Sequence, residues 1–427
     1  MDRLVVEGGV RLDGTVRAAG AKNAVLPILT AALLTDEPLV VRNVPRLADV
    51  DTMVGILSSL GADAARGDGD EAGTVRVASG TPKSEAPWEL VRKMRASFGV
   101  LGPLLARTGE ASVSLPGGCV FGVRPVDVHL KGMRALGARV TIEGGNVRAV
   151  APPGGLVGAE VYLGTPFGSS VGGTMNVMLA ATLARGRTVI QSAACEPEVT
   201  DLADCLNAMG ARISGHGSPT VVIEGVERLG GAEHEVLPDR IEAGTFLIAG
   251  AVTGGRVRVE GCRPEHLSSL FDALWRAGVA CERGDGWAEV HATEGRPRPT
   301  DVTTQPYPGF PTDLQAQWMA LMVLARGVSV ITERIYPDRY MHLAELARLG
   351  ASVRRQSTAA IVEGTARLSG AQLMASDLRA SAALVLAGLI AEGTTEIHRV
   401  YHIDRGYERI EERLRALGAR IERVQGD

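Results

Sequence analysis

Aromatic residues make up only 4% of this chain, cysteines number five, and neither sign of charge dominates. Each scarcity removes a class of function. Few rings leave little to stack on unpaired bases, and 45 basic against 49 acidic residues give a formal net charge of -4 instead of a broad basic surface, so no nucleic-acid partner is expected. Small anions remain possible ligands, because a few local arginines suffice for them. Cys119, Cys195, Cys205, Cys262 and Cys281 are odd in number and scattered, with no Cys-x-x-Cys. That fits a reducing cytoplasm and neither a disulfide framework nor a zinc site. The start, Met1-Asp-Arg-Leu-Val-Val-Glu, lacks the charged-then-apolar layout of a secretory signal. The longest apolar run, Ser381 to Ala391, falls far short of the roughly 20 residues needed to cross a bilayer, so it reads as a buried helix and no membrane association is expected.

Several catalytic signatures are missing too. There is no His-Glu-x-x-His, no nucleophile elbow, and no complete Gly-x-Gly-x-x-Gly after a plausible strand. Metal hydrolysis, serine-hydrolase chemistry and nicotinamide or flavin chemistry therefore lack support, and no cofactor or metal is expected. Lys22 lies in the small-residue turn Ala19-Gly20-Ala21-Lys22-Asn23-Ala24, without the full phosphate-loop signature. What remains is one loop thiol, one acid and many isolated cations, an inventory suited to chemistry on an anionic substrate.

What the sequence does contain is a repeat. With 427 residues, 45% of them hydrophobic, the chain can bury more than one core. Six amphipathic segments end on a glycine, at Gly61, Gly137, Gly210, Gly278, Gly350 and Gly418, spaced by 76, 73, 68, 72 and 68 residues. Between them recurs a helix of small apolar residues followed by a turn and an extended run, as in Leu179-Ala-Ala-Thr-Leu-Ala-Arg-Gly-Arg-Thr-Val-Ile. Each unit thus holds about two helices and three or four strands. Helices of alanine, glycine and leucine suit a buried interior, with sheets outside. Six units divide naturally into two lobes of three, with a join near the polar, glycine-bearing stretch 227–233 and a ligand in the cleft between lobes.

The stretch Leu115-Pro-Gly-Gly-Cys119-Val-Phe-Gly-Val-Arg124-Pro-Val-Asp127-Val-His129 combines a thiol with glycines on both sides and an arginine five residues on. Read locally, it is equally a mobile loop bringing Cys119 over a ligand and a glycine-rich turn with a buried thiol. Arg124 offers a donor fork for a carboxylate or phosphate. Met94-Arg95-Ala96-Ser97 and Asp377-Leu378-Arg379-Ala380-Ser381 are near repeats that place an arginine at the head of an apolar helix. Asp313, in Phe310-Pro311-Thr312-Asp313, is either a helix cap or a general base. Arg405, in Tyr401-His402-Ile403-Asp404-Arg405-Gly406-Tyr407, lies in a charge run of the kind that usually marks a solvated helix start.

Taken together and in this order, these motifs closely resemble the enolpyruvyl transferase family of UDP-N-acetylglucosamine 1-carboxyvinyltransferases, over nearly the whole chain. The resemblance implies a two-lobed, inside-out α/β barrel built from six βαβαββ-type units, three per lobe, with helices buried and sheets outside. The lobes would be 22–236, carrying the Cys119 loop, and 1–21 with 237–427, carrying Asp313 and Arg405. The implied reaction moves the enolpyruvyl group of phosphoenolpyruvate to the 3′-hydroxyl of UDP-N-acetylglucosamine, releasing phosphate. This is the first committed step of peptidoglycan synthesis. By the same resemblance, Cys119 protonates the methylene carbon, Asp313 takes the hydroxyl proton, and Lys22, Arg124 and Arg405 clamp phosphate and carboxylate. Asn23, Arg95, Pro125, Val126, Asp127, Val128, Ser170, Val171, Gly172, Asp313 and Ile335 fall at positions that hold the nucleotide sugar or lie beside it, while Arg339 and Arg379 line the cleft. Family members often carry lysine where this chain has Ala48, and another just before the Ser-Val-Gly turn, where it has Gly168-Ser169. Beyond the two substrates no protein partner is implied. The alternatives are a related transferase acting on shikimate 3-phosphate and a non-catalytic nucleotide-sugar-binding paralogue.

Overall fold

The computed structural model describes residues 2–116, 126–291 and 295–426. Its chain divides into two compact units, Gly20–Leu237 and Met1–Ala19 with Pro238–Asp427. Each has its own apolar core. Among the described residues, each unit holds three sheets; five of the six are four-stranded and mixed, and one is three-stranded and antiparallel.

The sheets repeat one pattern. In the third, strand Glu160–Tyr162 runs parallel to Arg187–Gln191 across the helix Val171–Ala181. After the helix Pro197–Ala208, the strands Arg212–Ser214 and Thr220–Glu224 complete an antiparallel edge. Register pairs Ile190 with Val221, and both are fully buried on the helix side. This is a βαβαββ unit, as the resemblance implied. Three of the six sheets borrow a strand from far along the chain. Arg3–Glu7 lies between Thr394–His398 and Arg420–Val424, Asp13–Arg17 pairs with Arg256–Glu260, and Ala232–Glu235 pairs with Leu39–Arg42. In the three-stranded sheet, a bridge from Glu85 to Ser112 stands where the fourth strand would be.

Six helices of small apolar residues lie inside: Lys22–Ala31, Leu101–Thr108, Val171–Ala181, Arg240–Thr253, Gln315–Met322 and Leu378–Gly388. All eight residues of Gln315–Met322 are buried. The apolar run expected as a helix over Ser381 to Ala391 is instead Leu378–Gly388, because Asp377 caps it three residues early, accepting from the backbone N–H groups of Arg379 and Ala380 at 3.0 and 3.1 Å. Among the described residues no helix is long and apolar enough to cross a membrane.

The six aligned glycines all do the same work. Each sits two residues past an outer helix with φ between +83° and +102°, and the next residue donates its N–H to a carbonyl five positions back at 2.9–3.1 Å. This is the left-handed Schellman ending, and it explains why alanine or valine follows each glycine: that residue is buried against the helix it closes.

Close helix approach constrains other glycines by space. At Gly102, on Leu101–Thr108, a Cβ would stand 2.3 Å from the Asn176 carbonyl oxygen of Val171–Ala181. Gly55, inside the outer helix Ala48–Ser59, has nothing within 4 Å of that position. Gly102→Ala is therefore expected to lower stability by about 1–3 kcal/mol. Gly55→Ala should raise it by about 0.4–1 kcal/mol. Denaturant midpoints check both signs.

Candidate active site

In the unit that holds both chain ends, two buried guanidinium groups meet one carboxylate. Asp313 lies on the turn Thr312–Leu314 that leads into Gln315–Met322, and its carboxylate is held by arginines. Arg339 Nη1 donates to Oδ1 at 2.7 Å and Arg379 Nη2 to Oδ2 at 3.5 Å, with Arg339 and Arg379 only 6% and 2% exposed. Burial alone would pull both arginines down; Asp313, with Asp377 and Glu333 for Arg339 and Tyr407 for Arg379, more than offsets it. Among the described residues, Nε and Nη1 of Arg379 have no hydrogen-bond partner.

A layer of residues that the motifs did not reveal holds this triad. Arg339 Nη1 also donates to Thr312 Oγ1 at 3.0 Å, and Thr312 donates to Oε2 of the fully buried Glu333 at 2.9 Å. Glu333 Oε1 accepts from Thr304 Oγ1 at 2.7 Å and from the backbone N–H groups of Ile335 and Tyr336 at 2.8 and 2.9 Å. The loop carrying Ile335 and Arg339 is thus fixed by one carboxylate. Gln317 Nε2 reaches the Asp313 carbonyl at 3.0 Å and the Tyr407 hydroxyl at 3.1 Å, and the Tyr407 ring lies 5.2 Å from the Arg379 guanidinium. Arg405 closes the short turn Val400–Arg405, two residues before Tyr407.

In the other unit, Lys22 is the first residue of its buried helix, and its Nζ lies 3.2 Å from Asp49 Oδ2, with both side chains under a tenth exposed. Asp49 was not a candidate in the sequence, since an acid in the first turn of an outer helix is commonplace. Asn23 is exposed beside Lys22, and so is Ala48 beside Asp49. The structure brings Val126–Val128 and Ser170–Gly172 together. A Cβ on Gly173 would touch Val128 Cγ1 at 2.7 Å, and one on Gly172 would lie 3.3 Å from His129. Ser170 caps the helix Val171–Ala181 through the N–H of Gly173 at 3.2 Å. Asn176 locks this corner, accepting from Gly102 N–H at 2.7 Å and placing Nδ2 2.9 Å from His129 Nδ1 and 3.1 Å from the Phe98 carbonyl. The two near-repeat arginine motifs differ in detail. Arg379 stands in the first turn of its helix, whereas Arg95 opens a short 3-10 turn, Arg95–Val100, ahead of the helix proper. Cys119, Arg124 and Pro125 lie outside the described residues. Among those described, no group of three His, Cys, Asp or Glu side chains is placed to hold a metal ion.

The family described as EPSP synthase (3-phosphoshikimate 1-carboxyvinyltransferase) matches residues 6–414. A protein of Chelativorans sp. (strain BNC1) named UDP-N-acetylglucosamine 1-carboxyvinyltransferase is 52% identical over 433 residues, spanning all of both chains. This chain belongs to the enolpyruvyl transferase family. The enolpyruvyl transferase NikO from Streptomyces tendae has the same structure at a TM-score of 0.89, with 28% identity and coverage of 100% of this chain and 99% of its own. The EPSP synthase of Acinetobacter baumannii matches over 100% of both chains at a TM-score of 0.74 and 20% identity, which is a likeness of fold.

Two histidines near these enolpyruvyl transferase positions yield a test of their burial. Burial, aided by Arg95, pushes His129 down to about 3, and burial pushes His342 down to about 4 against the pull of Asp377. Both rings are neutral in the folded chain near neutral pH, whereas in the unfolded chain they protonate near 6.5. Unfolding therefore takes up protons below that value, and stability falls as pH drops from 6.5 towards 4, by up to about 1.4 kcal/mol per pH unit for each ring. Denaturant midpoints between pH 7 and 5 should fall less steeply in His129→Gln and His342→Gln. An unchanged slope in both contradicts neutral burial.

Proposed function

We propose that this chain transfers the enolpyruvyl group of phosphoenolpyruvate to the 3′-hydroxyl of UDP-N-acetylglucosamine and releases phosphate, in the cytoplasm, as the first committed step of peptidoglycan synthesis. The observation that carries the acceptor assignment is the full-length relative of that name at 52% identity. The geometry supports the chemistry. A carboxylate oriented by two buried arginines is a fixed acceptor for a hydroxyl proton, and the donors left over on Arg379 can meet an anion.

In this reading Cys119 gives its proton to the methylene carbon of phosphoenolpyruvate while the sugar oxygen bonds to the adjacent carbon and Asp313 takes the hydroxyl proton. Loss of a proton from the new methyl group and departure of phosphate then restore the double bond. Lys22, Arg124 and Arg405 hold the phosphate and carboxylate, and Arg339 and Arg379 orient Asp313. Asn23, Arg95, 125–128, 170–172 and Ile335 serve the nucleotide sugar. Asp49 holds Lys22 in place without touching substrate. The absence of lysine at Ala48 and Gly168 leaves the diphosphate with fewer cationic partners.

The second reading takes its acceptor from the family's description, shikimate 3-phosphate. Phosphate release assayed with phosphoenolpyruvate and each acceptor separates them: turnover is expected with UDP-N-acetylglucosamine only. Release with neither would remove both readings.

Removing a proton-transfer group typically costs about 10²–10⁴ in rate. Cys119→Ser and Asp313→Asn should each lose turnover on that scale while still binding the nucleotide sugar in calorimetry. Unimpaired turnover in either would remove the role given to that residue. Fosfomycin, an epoxide similar to phosphoenolpyruvate, should alkylate Cys119 and do so faster with the nucleotide sugar present, read by peptide mass spectrometry; an adduct mainly on another cysteine contradicts the placement.

A further inference from the structure

Arg423 stands in the last strand, Arg420–Val424, opposite Leu4 in the register with Arg3–Glu7. Its guanidinium forks onto Asp404, Nη2 to Oδ1 at 2.6 Å and Nη1 to Oδ2 at 3.0 Å. It also donates to Glu411, from Nε to Oε1 at 2.7 Å and from Nη2 to Oε2 at 3.3 Å. Glu411 is 4% exposed and sits in the helix Ile410–Ala416, so it needs a cation at hand. One planar group with donors on two edges serves both acids, a geometry that a lysine ammonium does not reproduce.

The segment held this way is short and leads directly to the triad. Asp404 lies in the 3-10 turn Val400–Arg405, which follows Arg399 at φ +59° and precedes Arg409 at φ +43°. Arg399 shares its left-handed turn with Asn43, Ser192 and Gly261, which likewise follow a strand, so that end belongs to the repeat. Arg409 has no such counterpart among the described residues, and a left-handed arginine must be held by what surrounds it. After Asp404 come Arg405, then Gly406, then Tyr407. Gly406 is pressed so close to Leu378 that a Cβ would lie 2.5 Å from its Cδ1. Tyr407 is buried, bonded through its hydroxyl to Thr245 at 2.9 Å, with its ring 5.2 Å from the Arg379 guanidinium. Arg379 in turn contacts Asp313.

We propose that Arg423 is a positioning residue for the phosphoenolpyruvate end of the reaction: by fixing Asp404 it sets the direction in which Arg405 is presented and keeps Tyr407 beneath Arg379. This rests on the reading of Arg405 as an anion clamp given above. Arg423 itself touches no substrate.

Two variants test it. Asp404→Asn removes one partner of the fork at a side chain 37% exposed and leaves Arg423 paired with Glu411, so folding should survive. Arg423→Lys keeps the charge and loses the fork. Neighbours in one hydrogen-bonded charge network are energetically coupled, so each variant should raise KM for phosphoenolpyruvate about tenfold. KM for UDP-N-acetylglucosamine should stay near wild type in both, and the melting temperature should stay near wild type in Asp404→Asn, which leaves the Arg423–Glu411 pair intact. Unchanged KM for phosphoenolpyruvate in both folded variants overturns the proposal. So does a parallel rise of both KM values with a lower melting temperature in Asp404→Asn, which is what a merely structural ion pair would give. An inactive wild-type enzyme sinks the functional reading itself, and this inference with it.

Discussion

A cation buried at the amino end of a helix works against the helix dipole, and among the described residues three inner helices carry one. Lys22, Arg240 and Arg379 each stand in the first turn of an inner helix and are 6%, 9% and 2% exposed. The helix end already carries positive partial charge, and removal of the cation from water adds a desolvation cost. Carboxylates close by offset part of this: Asp49 on Lys22, Asp313 on Arg379, and the caps Asp239 and Asp377, which satisfy the backbone N–H groups of the same turns. What results is fixed positive potential facing a small number of acids. Under the proposed reaction, these are the fixed charges that an anionic substrate would meet.

The repeat was legible because it is written in backbone conformation. A glycine at φ near +90° followed by a buried alanine or valine closes each outer helix, and no other residue type takes that conformation so cheaply. The borrowed strands were not legible. Arg3–Glu7 and Ala232–Glu235 look like any alternating run, and their partners lie hundreds of residues away, where pairing is decided by the whole unit. The same division runs through the candidate site. Lys22, Asp313 and Arg379 stand out as charges at the edges of apolar helices. Asp49, Glu333, Thr312 and Asn176 carry no local mark, because their value lies in what they touch 27, 29, 21 and 74 positions off, at Lys22, Thr304, Glu333 and Gly102.

Arg95 and Arg379 show how far a motif can be trusted. The tripeptide Arg-Ala-Ser occurs in both, and both serines turn back onto a carbonyl, Ser97 onto Met94 and Ser381 onto Asp377. Yet only the second motif is preceded by an acid at the cap position. Asp377 starts a regular helix at once, whereas Met94 leaves the backbone to wind through a 3-10 turn first. One residue outside the shared tripeptide thus decides whether the arginine is fully buried in a helix head or only partly buried.

The contacts that aim Asp313 also stabilise its negative charge, and a carboxylate held by two arginines is not by itself a ready proton acceptor. Under the proposed reaction this tension has a physical resolution. Arg379 grips Asp313 at 3.5 Å, a looser contact than the 2.7 Å from Arg339, and keeps two donor nitrogens without partners among the described residues. An arriving phosphate or carboxylate competes for that looser guanidinium and brings negative charge close to Asp313. Both effects raise the carboxylate's affinity for a proton just when the substrate hydroxyl has one to give. Arg339, anchored through Thr312 to Glu333, keeps the carboxylate aimed while this happens. In that reading Arg339 carries the larger share of orientation, while Arg379, which contacts Asp313 more loosely and also lies against Tyr407, is the arginine an anion can draw on.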